Sequence, residues 1–181
     1  MRPRTGLVAA SKWSMISFSL NTRQPMFEII LFSPQIPPNT GNIIRLSANC
    51  GSRLHLVRPL GFDLDEKACR RAGLDYHALG DVSVHDDLDT CLAGIGAPRV
   101  FAITTKGQGT VFDTAFRPGD AFLFGSETAG LPDTVHARFD KAARLRLPMR
   151  PGNRSLNLAN AVSIVIYEAW RQSDFAGASP I

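Results

Sequence analysis

Residues 27–51 read FEIILFSPQIPPNTGNIIRLSANCG, and within them one secondary-structure pattern gives way to another. Phe27–Phe32 is a short apolar run, which is typical of a buried strand, and the three prolines that follow indicate a rigid loop. Asn39–Cys50 carries apolar residues at helical spacing and ends before Gly51, a residue type that commonly terminates helices. The stretch therefore predicts a strand, a loop and a helix, which is the repeating unit of α/β proteins.

The same alternation continues along the rest of the chain. Apolar runs of strand length recur between segments with helical spacing, and no linker divides the pattern. This order predicts one α/β domain with a mainly parallel sheet flanked by helices. The further predicted strands are Arg53–Val57, Val82–Val84, Val100–Ile103, Ala121–Phe124 and Ala143–Leu147, and the further predicted helices are Asp65–Ala72, Asp87–Ala93, Pro132–Arg138 and Ser155–Gln172.

The predicted domain occupies residues 26–172 of the 181. Residues 1–25 contain four basic residues, no acidic residue and no hydrophobic periodicity. We interpret them as a disordered extension or as the product of a mis-assigned start codon, with a mitochondrial transit peptide as the alternative. Residues 173–181 are expected to form a C-terminal tail.

The net charge of +4 comes from residues 1–25, because the remainder contains 16 basic and 16 acidic residues. One segment is nevertheless strongly basic, since six cations and only Asp140 as an acid lie within residues 138–154. Such a cluster is compatible with RNA binding and equally with a solvated surface, so charge alone does not separate the two. The clustered cations are Arg138, Lys141, Arg144, Arg146, Arg150 and Arg154.

The reactive residue types argue against several functional classes. Three cysteines without CxxC spacing indicate reduced thiols in a cytoplasmic protein, and four histidines without metal-ligand spacing predict no metal site. None of the motifs GxGxxG, GxxxxGK[ST] and GxSxG occurs in the sequence. No apolar run approaches the roughly 20 residues that span a bilayer, so no membrane association is expected.

The last predicted helix is apolar around most of its circumference. A helix of this kind is buried on more than one side, either within the core of its own domain or against a second subunit. In a small domain we expect part of this face to form a homodimer interface. The apolar residues are Leu156, Leu158, Ala159, Val162, Ile164, Val165, Ile166, Ala169 and Trp170.

Three polar, glycine-containing segments follow predicted strands, which is where α/β proteins bind ligands. They are IPPNTGNIIRL at 36–46, FGSETAGLP at 124–132 and LPMRPGNRSLNLANA at 147–161. Each has a purely structural interpretation, because Asn39 or Ser155 can cap a helix. Gly125, in turn, can permit a tight turn. Their recurrence at three strand ends favours one shared functional site.

These segments resemble the motifs of the SPOUT (trefoil-knot) RNA methyltransferases, and most closely those of members that methylate the wobble ribose of tRNA. The resemblance covers most of residues 26–172 and extends to RPLGFDLDEKACRRAGLDYH at 58–77, FAITTKG at 101–107 and RSLNLANAVSIVIYEAWRQ at 154–172. It implies a parallel α/β fold with a C-terminal trefoil knot and a homodimer. It also implies S-adenosyl-L-methionine as the methyl donor, held by the knot loops.

The resemblance further implies roles for single residues. Arg45 is the expected catalytic residue, either activating the ribose hydroxyl or binding the neighbouring phosphate, and a guanidinium is a poor base because it stays protonated in proteins. Ser126 stands where the family has proline, and Ala129 stands where it commonly has arginine, which puts a charge contact near the RNA in doubt. The expected cofactor-binding residues are Ile103, Gly125, Leu147, Met149 and Ser155, and the expected substrate-binding residues are Asn39, Glu127, Arg154 and Asn157.

The activity implied by the resemblance is methylation of the 2′-OH of the wobble cytidine or uridine in the anticodon stem-loop of leucine tRNA. Two alternatives stay open at this point. One is a SPOUT ribose methyltransferase that acts on rRNA or on another tRNA position. The other is a non-catalytic RNA-binding module, against which the presence of Arg45, Ser155 and Asn157 argues.

Overall fold

The computed structural model describes residues 25–64, 82–96 and 99–180. The helix expected at Asp65–Ala72, including Arg70 and Arg71, lies outside the described residues. Within these ranges no helix is long and apolar enough to cross a membrane.

Seven strands and four α-helices make up the described part of the chain. Two single-turn 3-10 helices, Val111–Asp113 and Lys141–Ala143, complete the elements. The strands are β1 (Glu28–Phe32), β2 (Arg53–Val57), β3 (Val82–His85), β4 (Val100–Ile103), β5 (Gly109–Thr110), β6 (Ala121–Phe124) and β7 (Arg144–Arg146). The helices are α1 (Pro37–Cys50), α2 (Leu88–Gly94), α3 (Asp133–His136) and α4 (Leu158–Arg171).

The seven strands form one sheet in the order β3-β2-β1-β6-β4-β7-β5. Every strand pair in it is parallel. The predicted α/β class with a mainly parallel sheet flanked by helices is therefore confirmed. The C-terminal trefoil knot stays a prediction of the resemblance.

Sequence patterns located the elements well but misplaced some of their ends. Helix α1 begins at Pro37 rather than Asn39, because proline fits the first turn, where a backbone N–H has no intrahelical partner. Helix α4 begins at Leu158 rather than Ser155. The side chain of Asn157 accepts a hydrogen bond from the Asn160 backbone N–H at 3.3 Å and so caps the helix, which leaves Ser155 in the preceding loop.

The core has two parts, one on each face of the sheet, since neighbouring side chains of a strand point in opposite directions. Ile29 and Leu31 of β1 pack with α1 and α4 in the larger part. Ile30, between them, packs with α2 and α3 in the smaller part. Because all strands run parallel, their carboxyl ends and the loops that follow meet at one edge of the sheet.

Helix α4 is buried on one side and exposed on the other. Ile164 and Tyr167 are 38% and 46% exposed although both are large apolar side chains. This exposure is consistent with the prediction that α4 carries more apolar surface than the core of its own domain buries. The buried residues of α4 are Leu158, Ala159, Val162, Val165, Ile166, Ala169 and Trp170.

The last described residues fold back on α4. The indole N–H of Trp170 donates a hydrogen bond to the Ala176 carbonyl at 3.0 Å, and the Phe175 ring meets Trp170 edge-on. The segment predicted as a tail thus packs against the end of the helix over the part that the structure describes.

Candidate active site

A cavity of about 690 Å³ opens at the carboxyl edge of the sheet, where β4, β6 and β7 end. Its lining includes residues from each of the three polar segments and from the loop after β4. Every residue predicted to bind cofactor or substrate lies in this lining: Ile103, Gly125, Leu147, Met149, Ser155, Asn39, Glu127, Arg154 and Asn157.

Gly125 has no space for a side chain. A Cβ atom there would lie 2.1 Å from the carbonyl carbon of Gly130 and 2.3 Å from the Leu131 nitrogen. The loop after β6 closes on itself, because Ser126 and Gly130 exchange backbone hydrogen bonds at 3.3 and 2.9 Å. The glycine requirement at 125 therefore comes from the close return of the loop's own backbone, as the tight-turn interpretation of Gly125 suggests, and contact with a ligand is not needed to explain it.

The Glu127 carboxylate connects the loop after β6 to the start of α1. It accepts hydrogen bonds from the backbone N–H groups of Gln35 and Ile36 at 2.8 and 3.2 Å and from the Asn39 side-chain amide at 3.0 Å. A carboxylate suits this position, since the N–H groups before a helix lack intrahelical partners and favour negative charge. Glu127 thus organises the cavity wall in addition to lining it.

The third segment joins the same network through Asn157. Its amide N–H donates to the Asn39 side-chain oxygen at 2.9 Å, while its own oxygen caps α4. Asn39 is buried, and its amide is used on both sides, as donor to Glu127 and as acceptor from Asn157. Side chains that the sequence placed in three separate motifs therefore form one hydrogen-bonded chain along the cavity.

The cavity wall combines aliphatic side chains with exposed polar groups. Ile103, Leu147 and Met149 are partly buried and present apolar surface, whereas Arg154 and Ser155 are exposed. An aliphatic wall beside backbone amides is suited to a flat heterocycle such as adenine, and a cation at the mouth is suited to a phosphate. The residues present thus fit a nucleoside-containing cofactor and a nucleic-acid substrate.

Arg45 does not line this cavity. It is exposed on α1 and has no hydrogen bond or ion pair with any residue that the structure describes. Six helical positions separate it from Asn39, which corresponds to roughly 9 Å along the axis and a rotation of about 240°. Asn39 therefore faces the cavity while Arg45 projects from another side of the helix, and the predicted catalytic role stays a prediction.

Sequence reasoning did not single out Thr104, which lines the cavity after β4. Its hydroxyl lies 3.4 Å from Nε2 of His136, a residue of α3 that is 6% exposed. Burial, followed by the positive charge of Lys106, lowers the pKa of His136 below its usual range. Thr104 belongs to the FAITTKG motif, so the sequence could have indicated it as a candidate site residue. Its proximity to His136 could not be predicted, because it depends on how α3 packs.

Four arginines of the basic cluster lie in two different places in the structure. Arg138 pairs with Asp89 on α2, away from the cavity. Arg146 and Arg150 line a second hollow of about 260 Å³ that shares Thr105, Leu147 and Met149 with the main cavity. Together with Arg154 they place three arginines around the two openings, where guanidinium groups could contact phosphates.

Comparison with known proteins identifies the family. A sequence profile of the SpoU rRNA methylase family matches residues 26–167. The tRNA (cytidine(34)-2'-O)-methyltransferase of Burkholderia ambifaria is 59% identical over 155 residues, which cover 84% of this chain and 99% of that protein.

Solved structures agree with this assignment. One described as giving structural insights into the 2-OH methylation of C/U34 on tRNA is 43% identical with a TM-score of 0.76, covering 84% of this chain and 99% of its own. The SpoU methyltransferase AviRb from Streptomyces viridochromogenes, in complex with the cofactor AdoMet, is 25% identical with a TM-score of 0.71, covering 87% of this chain and 60% of its own. The parallel sheet, the cavity at its carboxyl edge and these similarities together show that the chain belongs to the SpoU rRNA methylase family.

Proposed function

We propose that this protein transfers a methyl group from S-adenosyl-L-methionine to the ribose 2′-OH of nucleotide 34, a cytidine or uridine, in tRNA, with leucine tRNA as the substrate. The observation that carries the proposal is the convergence of all nine predicted binding residues on one cavity. The names of the relatives, which specify the 2′-oxygen of cytidine 34, support the reaction and its position. Such an enzyme acts in the cytoplasm, where mature tRNA is found.

The cofactor is assigned to the part of the cavity between the loops after β4, β6 and β7. When bound, S-adenosyl-L-methionine supplies an electrophilic methyl group on a positively charged sulfur. Ile103, Leu147 and Met149 would hold the adenine between aliphatic surfaces, and Ser155 would contribute a hydroxyl at the rim. The AdoMet complex of AviRb supports this choice of cofactor.

The substrate is assigned to the polar side of the cavity. Asn39, Glu127 and Asn157 are hydrogen-bonded to one another there and would position the ribose with little further ordering. Arg154 at the mouth would bind a phosphate of the anticodon loop. Ala129 removes the cation that the family commonly has nearby, so we assign phosphate binding to the arginines of residues 146–154.

Arg45 is assigned to the substrate and not to the cofactor. Its exposed guanidinium lies outside the cavity wall, which leaves its five N–H donors available to a phosphate of the RNA. Binding the phosphate next to nucleotide 34 would orient the ribose 2′-OH toward the methyl group. This role needs no deprotonation of arginine, whose guanidinium is effectively always charged in proteins.

We further propose that two copies associate through the exposed side of α4. Ile164 and Tyr167 lie one turn apart on that side, and Leu156 is 41% exposed just before the helix. An apolar stripe on a helix is more stable when a second surface covers it. A symmetric dimer covers the same stripe on both copies at once.

The function is tested by incubating the purified protein with labelled S-adenosyl-L-methionine and a leucine tRNA transcript. We expect one methyl group per tRNA, located at the ribose of nucleotide 34 by nucleoside mass spectrometry. A matched tRNA with a 2′-deoxyribose at nucleotide 34 only should accept no methyl group. Methylation of rRNA or of another tRNA nucleotide would favour the alternative target, and tRNA binding without any transfer would favour the non-catalytic module.

A further inference from the structure

A cluster of two histidines and one cysteine lies on the face of the sheet that carries α2. His55 is buried on β2, His85 is at the end of β3, and Cys91 is fully buried on α2. One nitrogen of each histidine and the Cys91 sulfur all lie within 4.8 Å of one another. None of the three residues lines the cavity assigned to methyl transfer. The spacing along the sequence did not indicate this group, because three separate elements bring it together.

The hydrogen bonds around His55 define which nitrogen is free to bind a ligand. Nε2 of His55 lies 2.9 Å from Oε2 of Glu28, whose carboxylate also accepts from Arg53. Glu28 is also in an ion pair with the Arg53 guanidinium, which favours the ionised carboxylate. An ionised carboxylate only accepts hydrogen bonds, so Nε2 of His55 carries the proton and Nδ1 has a free lone pair.

That lone pair points at the second histidine. Nδ1 of His55 and Nε2 of His85 are 3.0 Å apart, so a proton now lies between them. In a tetrahedral zinc site with bonds of about 2.0–2.1 Å, two imidazole nitrogens are roughly 3.3 Å apart. A metal ion in place of the proton would lie to one side of the line between the two nitrogens, so the rings would move apart by about 0.3 Å and each would turn by roughly 35° to aim its lone pair at the metal.

We propose that Nδ1 of His55, Nε2 of His85 and Sγ of Cys91 form a binding site for a zinc ion, with Glu28 as the carboxylate that orients His55. Two imidazoles and a thiolate are a ligand set that zinc prefers over the hard cations magnesium and calcium. A carboxylate on the far nitrogen of a ligating histidine is a recurring feature of zinc sites. The fourth ligand is a water molecule that enters beside His85, the one partly exposed member of the cluster.

Zinc binding at this site releases one proton to solvent. Cys91 is fully buried among apolar side chains, an environment that favours the uncharged thiol before the metal binds. Coordination removes that proton and forms the sulfur–zinc bond. The proton on Nε2 of His85 moves to Nδ1 of the same ring, which leaves both imidazoles neutral and both lone pairs on the metal. The bound zinc would cross-link β2, the edge strand β3 and α2.

The test uses the full-length protein stripped of metal and titrated with Co²⁺, whose tetrahedral thiolate complexes absorb strongly. We expect one Co²⁺ per chain, a sulfur-to-cobalt charge-transfer band, and displacement of the band by Zn²⁺. Cys91→Ala should abolish the band, and His85→Ala should weaken Zn²⁺ binding at least tenfold. Glu28→Gln, which keeps the shape but not the charge, should weaken it about tenfold, as carboxylates behind ligating histidines typically do.

Matched controls come from the same chain. Cys50→Ala removes another buried thiol, Cys69→Ala removes the third cysteine of the sequence, and His136→Ala removes another buried histidine. All three variants should bind Zn²⁺ like the wild type. Release of about one proton per zinc, and a rise in melting temperature with Zn²⁺ that Cys91→Ser lacks, check the site without relying on the alanine variants. Absence of the band in the wild type, or its persistence in folded Cys91→Ala, would overturn the proposal.

Discussion

At the scale of single residues, the site depends on positions where the backbone or a side chain has one acceptable arrangement. Gly125 is such a position, because the returning backbone of Gly130 occupies the space of a Cβ atom. Asn39 is another, since both ends of its buried amide are hydrogen-bonded within the cavity wall. Arg45 is of the opposite kind, exposed and without a partner among the described residues. Substitutions should therefore have different effects at these positions.

Gly125→Ala should reduce the affinity for S-adenosyl-L-methionine at least tenfold. A Cβ atom 2.1 Å from the Gly130 carbonyl carbon forces the loop after β6 to move, and that loop forms one side of the cavity. Titration calorimetry of the variant measures the change. Gly94→Ala is the matched control, because a Cβ there meets only His85 at 3.7 Å, an ordinary contact. Equal affinities for the two variants would contradict this account of the loop.

Arg45→Ala should lower the rate of methyl transfer to tRNA at least tenfold and leave the dissociation constant of S-adenosyl-L-methionine unchanged. The side chain lies outside the cavity, so it can contribute through the RNA but not through the cofactor. Asn49→Ala, at another exposed position of α1, is the control for both measurements. A loss of cofactor affinity in Arg45→Ala, or full activity, would refute the assigned role.

At the scale of elements, the cavity is held by contacts between loops that belong to different strands. Glu127 after β6 binds the start of α1, and Asn157 at the start of α4 binds α1 as well. Helix α3 contributes from the other side, where His136 lies behind Thr104. These contacts are partly buried, so their loss affects stability and the shape of the cavity together.

Glu127→Ala should reduce the free energy of unfolding by roughly 1–3 kcal/mol, because it leaves two backbone N–H groups and the Asn39 amide without their acceptor. Urea unfolding monitored by circular dichroism measures the difference. Asp140→Ala removes a carboxylate that makes no side-chain cap hydrogen bond, and it should change stability by less than about 0.5 kcal/mol. Similar values for both variants would show that Glu127 is not a structural link.

His136 should make the protein less stable as the pH falls from 7 to 5. Burial and the charges of Lys106 and Arg144 lower its pKa in the folded protein, against the opposing effect of Asp133. The unfolded chain then takes up a proton near pH 6.5 before the folded one does, which favours unfolding below about that pH. Urea unfolding at pH 7, 6 and 5 should show a smaller decrease for His136→Leu than for the wild type. Parallel decreases would mean that His136 does not titrate in this way.

At the scale of the whole molecule, the apolar surface exceeds what one chain buries. Helix α4 covers α1 and the sheet with one side and leaves Ile164 and Tyr167 exposed on the other. Phe112, which is 50% exposed, adds a further large apolar side chain at the surface. We propose that this exposed side of α4 contacts a second copy of the protein.

Replacing Ile164 and Tyr167 together by aspartate should convert the proposed dimer into a monomer. Two carboxylates on each copy would have to be buried without partners, which costs several kcal/mol. Size-exclusion chromatography with light scattering measures the mass, and Lys141→Glu serves as a charge-changing control at an exposed position elsewhere. A wild-type protein that is monomeric at micromolar concentration would contradict the proposed assembly.

The sequence alone determined the α/β class and the positions of most strands, because strand and helix patterns are local. The nine residues that line the cavity were indicated by the resemblance of their motifs to the SPOUT family. Tertiary structure decided three other matters. Asn39, Glu127 and Asn157 form one hydrogen-bonded chain because the loops that carry them lie side by side, and Gly125 is required by a backbone that returns five residues later. His55, His85 and Cys91 meet only because two parallel strands and a helix pack together. Contacts between residues distant along the chain depend on packing, so no local sequence pattern predicts them.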